Sequence, residues 1–255
     1  MMHVQNKETF KTILLRSGMV LCLFLVGCRD KERDKSVDHY DRGIAYARKG
    51  EYDMAISEFT KAIETNPRLA DAYYNRAVAY GAKGEHDLAV QDFNKALEIN
   101  PGNAEAYVNR GVAYYNKAQY DRAISDFTKA LEIDPGNADT YNNRANAHHK
   151  KGEHDQVILD CTRAIEIDPL HADAYCNRAV ACDNKGFYDQ AISDLNEALA
   201  INPEYAGAYN SRAITYYHKG QYDEAWEDVG KAQSLGSQVH SGFLKALREA
   251  SGREK

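Results

Sequence analysis

All five prolines of the chain stand in one register. Pro67, Pro101, Pro135, Pro169 and Pro203 follow one another at intervals of 34. Other residues keep the same step. Asn-Arg recurs at Asn75-Arg76, Asn109-Arg110, Asn143-Arg144 and Asn177-Arg178, and Ser211-Arg212 follows. Tyr-Asp recurs at Tyr52-Asp53, Tyr120-Asp121, Tyr188-Asp189 and Tyr222-Asp223, with His86-Asp87 and His154-Asp155 in the gaps. A period of this length is one supersecondary unit. It cannot bury its apolar face alone, so neighbours must stack into a solenoid. Counting from Ser36 gives six repeats: 36–69, 70–103, 104–137, 138–171, 172–205 and 206–239.

Within a repeat, small and large residues alternate at helical spacing. Positions 8, 20 and 27 are Ala77, Ala89 and Ala96 in the second repeat and Gly111, Ala123 and Ala130 in the third. Positions 4, 11 and 24 are Tyr73, Tyr80 and Phe93, then Tyr107, Tyr114 and Phe127. Small residues let two antiparallel helices approach, and large ones fill the space between repeats. Gly50, Gly84, Gly152, Gly186 and Gly220 mark the end of each first helix, with Ala118 in the third repeat. Proline marks the end of the second helix. These positions resemble the tetratricopeptide repeat family. The resemblance covers roughly residues 36–250 and implies an all-α fold, an α-solenoid wound as a right-handed superhelix. Residues 240–255 read as a capping helix and tail, because Phe243, Leu247 and Ala250 repeat positions 4, 8 and 11. The fourth repeat departs most, with His148, Val157 and Cys161 at positions 11, 20 and 24, so looser or shifted packing is expected there.

Residues 1–27 read as an address. Lys7, Lys11 and Arg16 precede an uncharged, mostly apolar run from Ser17 to Gly27, too short to span a bilayer and suited to a signal-peptide core. The run ends Leu25-Val26-Gly27-Cys28, which resembles a bacterial lipobox and implies a lipidated Cys28. Residues 29–35 are all charged and read as a solvated tether. The expected location is the cell envelope, lipid-anchored and periplasm-facing. Arg29 rather than aspartate after the cysteine favours the outer membrane. Without lipidation the chain would be soluble in the periplasm. Cys22 would leave with the leader, and Cys161, Cys176 and Cys182 remain, an odd set with no disulfide framework. They read as core or groove residues, with a Cys161–Cys182 bridge or a reactive thiol as alternatives.

Two polar rows run along the repeats. Arginine holds position 7 at Arg42, Arg76, Arg110, Arg144, Arg178 and Arg212. An acid holds position 23 at Glu58, Asp92, Asp126, Asp160, Asp194 and Asp228. Matched in number and period, they predict ion pairs between helices rather than free charges. The second row is Asn75, Asn109, Asn143 and Asn177 at position 6. In the family the first helices line a concave groove, so the resemblance places these carboxamides where they could hold an extended peptide backbone. Tyr40, Tyr74, Val78, Val112, Tyr115 and Tyr217 supply apolar anchors around a wetter centre at Asn146 and His149. Asp71, Glu105, Asp139 and Asp173 at position 2 favour a basic partner and exclude the lysine and arginine clamp that some family members close on a terminal carboxylate.

The formal charge of −6 includes a basic leader, so the body is more acidic still. That argues against nucleic acid. The sequence holds no phosphate-cradling glycine loop, nucleophile elbow or zinc-type His-Glu spacing, and no cofactor is expected. The expected function is a membrane-anchored scaffold for envelope complexes that binds a protein or peptide, basic or extended. A self-associating assembly factor is the alternative, and a metal-dependent enzyme near His149 and His171 a more distant one. Oligomeric state is left open.

Overall fold

The computed structural model describes residues 35–253, and these form thirteen α-helices with no strand among them. Cys28, the leader and most of the tether lie outside the described residues. The chain divides into two compact units after Pro101. The first holds α1 (35–48), α2 (Tyr52–Thr65), α3 (Ala70–Ala82) and α4 (His86–Ile99). The second holds α5 (Ala104–Asn116), α6 (Tyr120–Ile133), α7 (Ala138–Lys150), α8 (His154–Ile167), α9 (Ala172–Asn184), α10 (Tyr188–Ile201), α11 (Ala206–His218), α12 (Tyr222–Ser234) and α13 (Ser241–Ser251). Each repeat is thus a first helix, a tight turn and a second helix.

The turn fixes the pairing. Its second residue is left-handed, at φ 78° in Gly84 and 75° in Gly152. This conformation lets the Glu85 N–H reach the Tyr80 carbonyl at 2.9 Å and satisfy the helix end. Ala118 adopts the same conformation at φ 55°, with the Gln119 N–H 2.9 Å from the Tyr114 carbonyl. Its Cβ makes that turn costlier by about 1 kcal/mol. Second helices stop where the residue before proline turns extended, as at Asn100, Asp134, Asp168 and Asn202.

Position 8 is small because position 24 lies on it. A Cβ on Gly111 would stand 2.7 Å from the Phe127 ring, and one on Gly43 2.5 Å from Phe59. Both phenylalanines are buried, each stabilising by about 2–3 kcal/mol. In the last three repeats alanine at position 8 meets smaller partners, Cys161, Leu195 and Val229, and volume moves from one helix to the other. The fourth repeat keeps regular helices and a buried interior. Its pair α7 and α8 has the same lengths and spacing as α9 and α10, and Ala145, Val157 and Cys161 are fully buried. His148 replaces the usual tyrosine by pairing its Nδ1 with Glu153 at 2.6 Å. The expected loosening does not show in the exposure of these residues.

The helix α13 docks as the first helix of a seventh repeat. Arg253 reaches Asp223 at 2.8 Å, the Trp226 indole N–H donates to Ser251 at 3.1 Å, and Leu247 is fully buried. The same basic-to-Asp rung joins Lys83 to Asp53 at 2.6 Å, Lys151 to Asp121 at 2.8 Å and Lys219 to Asp189 at 2.5 Å, and also joins Lys185 to Asp155.

Candidate partner-binding face

The arginine row is closed. The guanidinium of Arg144 meets both oxygens of Asp160 at 2.8 and 2.6 Å, and Arg76, Arg110, Arg178 and Arg212 hold their aspartates in the same way. In four repeats a third contact ties the arginine to the repeat before. Arg76 donates to the Thr60 hydroxyl at 2.9 Å, Arg144 to Thr128 at 3.0 Å, Arg178 to Thr162 at 3.1 Å and Arg212 to the Asn196 carbonyl oxygen at 2.6 Å. The tyrosine at position 4 covers the guanidinium, Tyr141 lying 5.5 Å from Arg144. The Asp160 hydrogen bond raises the Arg144 pKa against the cost of burial. Arg42 is the exception. Its side chain is 54% exposed and makes a single 3.0 Å bond to Glu58, which also accepts from Lys61 and His39. Those bonds hold the Glu58 pKa down at about 2. The inter-repeat contact was missed in the sequence, although Thr60, Thr128, Thr162 and Asn196 recur in register.

The asparagine row is not uniform. In the first unit Asn75 spends both amide protons, one on the Tyr40 hydroxyl at 3.0 Å and one on the Asp71 carbonyl at 2.8 Å. Tyr40 and Tyr74 pack on Phe59 and Phe93, each with centroids 5.9 Å apart, and Val78 is exposed. In the second unit Asn177 donates to Asn142 Oδ1 at 2.8 Å. The rule is that position 6 donates to position 5 of the preceding repeat when that residue accepts. The residue so placed for Asn143 is Val108, which has no acceptor, and no hydrogen bond within the described residues engages the Asn143 carboxamide. Asn109 already has a partner within the chain.

On its first helices the second unit carries the partly exposed Asn109, Tyr115, Asn143 and Asn146 and the exposed Val112 and His149. Burial pushes the His149 pKa down, and nearby Lys150 and His154 add to this. Tyr217 sits further along, edge-on to Phe243 at 5.7 Å. The acids at position 2 are tethered in part, Asp139 lying 3.3 Å from His171 and Asp173 accepting from the Tyr205 hydroxyl at 2.6 Å. Cys161, Cys176 and Cys182 are buried free thiols, not a bridge. Burial pushes their pKa up to about 12, about 12 and about 11. Among the described residues no cluster of His, Cys, Asp and Glu is placed to hold a metal ion, and no helix is long and apolar enough to cross a membrane.

The tetratricopeptide repeat model matches residues 70–103, 104–137, 138–170 and 172–205, and related repeat models match 43–84 and 195–227. The chain belongs to the tetratricopeptide repeat family. Its repeats are similar to those of YrrB, described as a tetratricopeptide repeat protein with an unusual peptide-binding site, at 27% identity and a TM-score of 0.62 over 76% of this chain and 98% of that one. MamA is 28% identical, with a TM-score of 0.59 over 63% of this chain and 94% of that one. PilW, a type IV pilus biogenesis factor, shares the fold at 20% identity, with a TM-score of 0.72 over 82% of this chain and 98% of that one. No curated protein sequence matches the chain. As a tetratricopeptide repeat protein it is a protein–protein interaction scaffold.

Proposed function

We propose that this tetratricopeptide repeat protein is a lipid-anchored scaffold of the bacterial cell envelope that holds an extended, partly basic segment of a partner during complex assembly. The segment lies along the first-helix face of the second unit. The observation that carries this reading is the Asn143 carboxamide. It is the member of the asparagine row that makes no hydrogen bond among the described residues, and partly exposed Asn146 lies one helical turn further along α7. A carboxamide offers a donor and an acceptor together, which suits the backbone of an extended chain. The likeness to YrrB, whose description names a peptide-binding site, supports a peptide ligand. The signal-like leader ending at Cys28 supports the anchor, and the acidic body supports a basic partner. Two tests apply. Purified envelope proteins are passed over immobilised wild type and over Asn109→Ala/Asn143→Ala of equal helical circular dichroism. Loss of a specific prey from the double variant is expected, and an unchanged prey set contradicts the assigned face. Cys28→Ser should move the protein from the membrane to the soluble fraction. If it stays in the membrane, the lipid anchor is wrong.

A further inference from the structure

Between α5 and α7 the second unit holds a cavity of about 230 Å³. Glu105, Asp134 and Asp139 stand around it, Asn109 lies at its edge, and Val108 and Ala130 form an apolar wall. No lysine, arginine or histidine lines it. Position 34 differs here from the next two repeats. In the next two repeats that position carries a ring which folds back on the position-2 acid of its own repeat, His171 on Asp139 at 3.3 Å and Tyr205 on Asp173 at 2.6 Å. In the third repeat it is Asn137. That short side chain caps α7, accepting from the Thr140 N–H at 2.8 Å and the Thr140 hydroxyl at 2.9 Å. Position 34 therefore brings no ring to this cavity, and Glu105 already has a partner within the chain.

Resting on the reading of this face as a peptide site, we infer that the cavity takes the basic side chain, lysine or arginine, of the bound partner segment. The carboxylates do not converge as metal ligands, which require oxygens within about 2.6 Å of one ion. Spread around the cavity, they suit an elongated cation whose methylene stem lies on Val108 and Ala130 while its charged head meets the acids. The helix N-termini at α5 and α7 do not oppose this. Asn103 and Asn137 cap them, and Glu105 and Asp139 offset their dipoles within the first turn. Asp134 accepts from the Gly136 N–H through Oδ1, and its second oxygen is available to the guest.

The test uses arrays of twelve-residue peptides in which one position is varied through all amino acids, probed with the purified full chain. Wild type should select lysine or arginine at a fixed distance from an apolar residue. Asn137→Tyr supplies the ring that the fifth repeat already carries, so it should fill the cavity and reduce that selection at least about tenfold. Asn137→His, which retains a capping group as His171 does, should act in the same direction. Glu105→Gln/Asp134→Asn/Asp139→Asn should do likewise, while Glu64→Gln/Glu132→Gln/Glu166→Gln, with an equal change in net charge, should not. Peptide binding without basic selection, or selection that survives Asn137→Tyr and Asn137→His, overturns the cavity assignment alone. Absence of binding to any peptide overturns the reading of the face as well.

Discussion

The arginine seam and the asparagine face occupy neighbouring positions on the same helices and repeat with the same period, yet one is closed and the other is partly open. Arg144 meets two acidic oxygens, a threonine and a tyrosine ring. Asn143, one residue earlier, meets none of the described residues through a hydrogen bond. Periodicity alone does not separate structural residues from binding residues. What separates them is whether a partner recurs with the same period. Position 23 is acidic in every repeat, so each arginine has a mate. Position 5 varies from Tyr40 to Val108 to Asn142, so the asparagine is satisfied only where that residue accepts.

The comparison breaks most strongly at the seam. Asp160→Asn leaves a largely buried Arg144 without its counter-charge and should cost about 3–5 kcal/mol in urea unfolding. Arg42→Ala, at the exposed end of the same row, should cost at most about 1 kcal/mol. Equal losses at the two sites would erase the distinction between interior and end. Acid acts on that end. The Glu58 pKa is depressed from 4.5 to about 2, so its stabilisation is complete above the ordinary value and is lost as pH falls from about 4.5 toward 2. Solvent around Arg42 and Lys61 limits the effect to about 1–2 kcal/mol. Glu58→Gln should flatten that acid limb in thermal melts. Asn177→Ala removes a bond to buried Asn142 and should cost about 1–2 kcal/mol. Ala118→Gly relieves the left-handed alanine and should raise stability by about 1 kcal/mol. Asn143→Ala should change stability by less than about 0.5 kcal/mol, because no internal bond is lost. A large loss there would place Asn143 with the seam.

The fold was legible because its determinants are periodic. Proline, the turn glycine and the small residue at position 8 each answer to a steric demand that recurs in every repeat, so one reading served all six. The Arg–acid pairs were legible for the same reason. The burial kept by the fourth repeat was not, because it depends on how its substituted residues pack together. His148 finds Glu153 while Cys161 takes the smaller space, and each substitution read alone suggests disorder of packing. The cavity beside Glu105 was also out of reach. It is lined by Asn137, where the next two repeats carry the rings of His171 and Tyr205, and position 34 has no regular chemistry to compare along the chain. The partial closure of the asparagine row needed knowledge of which residue faces which across the stack.

The claim that the first-helix face of the second unit holds the partner is tested most directly by site-specific photo-crosslinking in living cells. A benzophenone amino acid is placed in turn at Val112, Asn143 and Asn146 on first helices and at Ser125, Leu159 and Ser193 on second helices, all partly or fully exposed. The account predicts that the three first-helix positions join the same partner protein and that the second-helix positions do not. Cross-links confined to Ser125, Leu159 and Ser193 would contradict it and move the partner to the opposite face of the repeats.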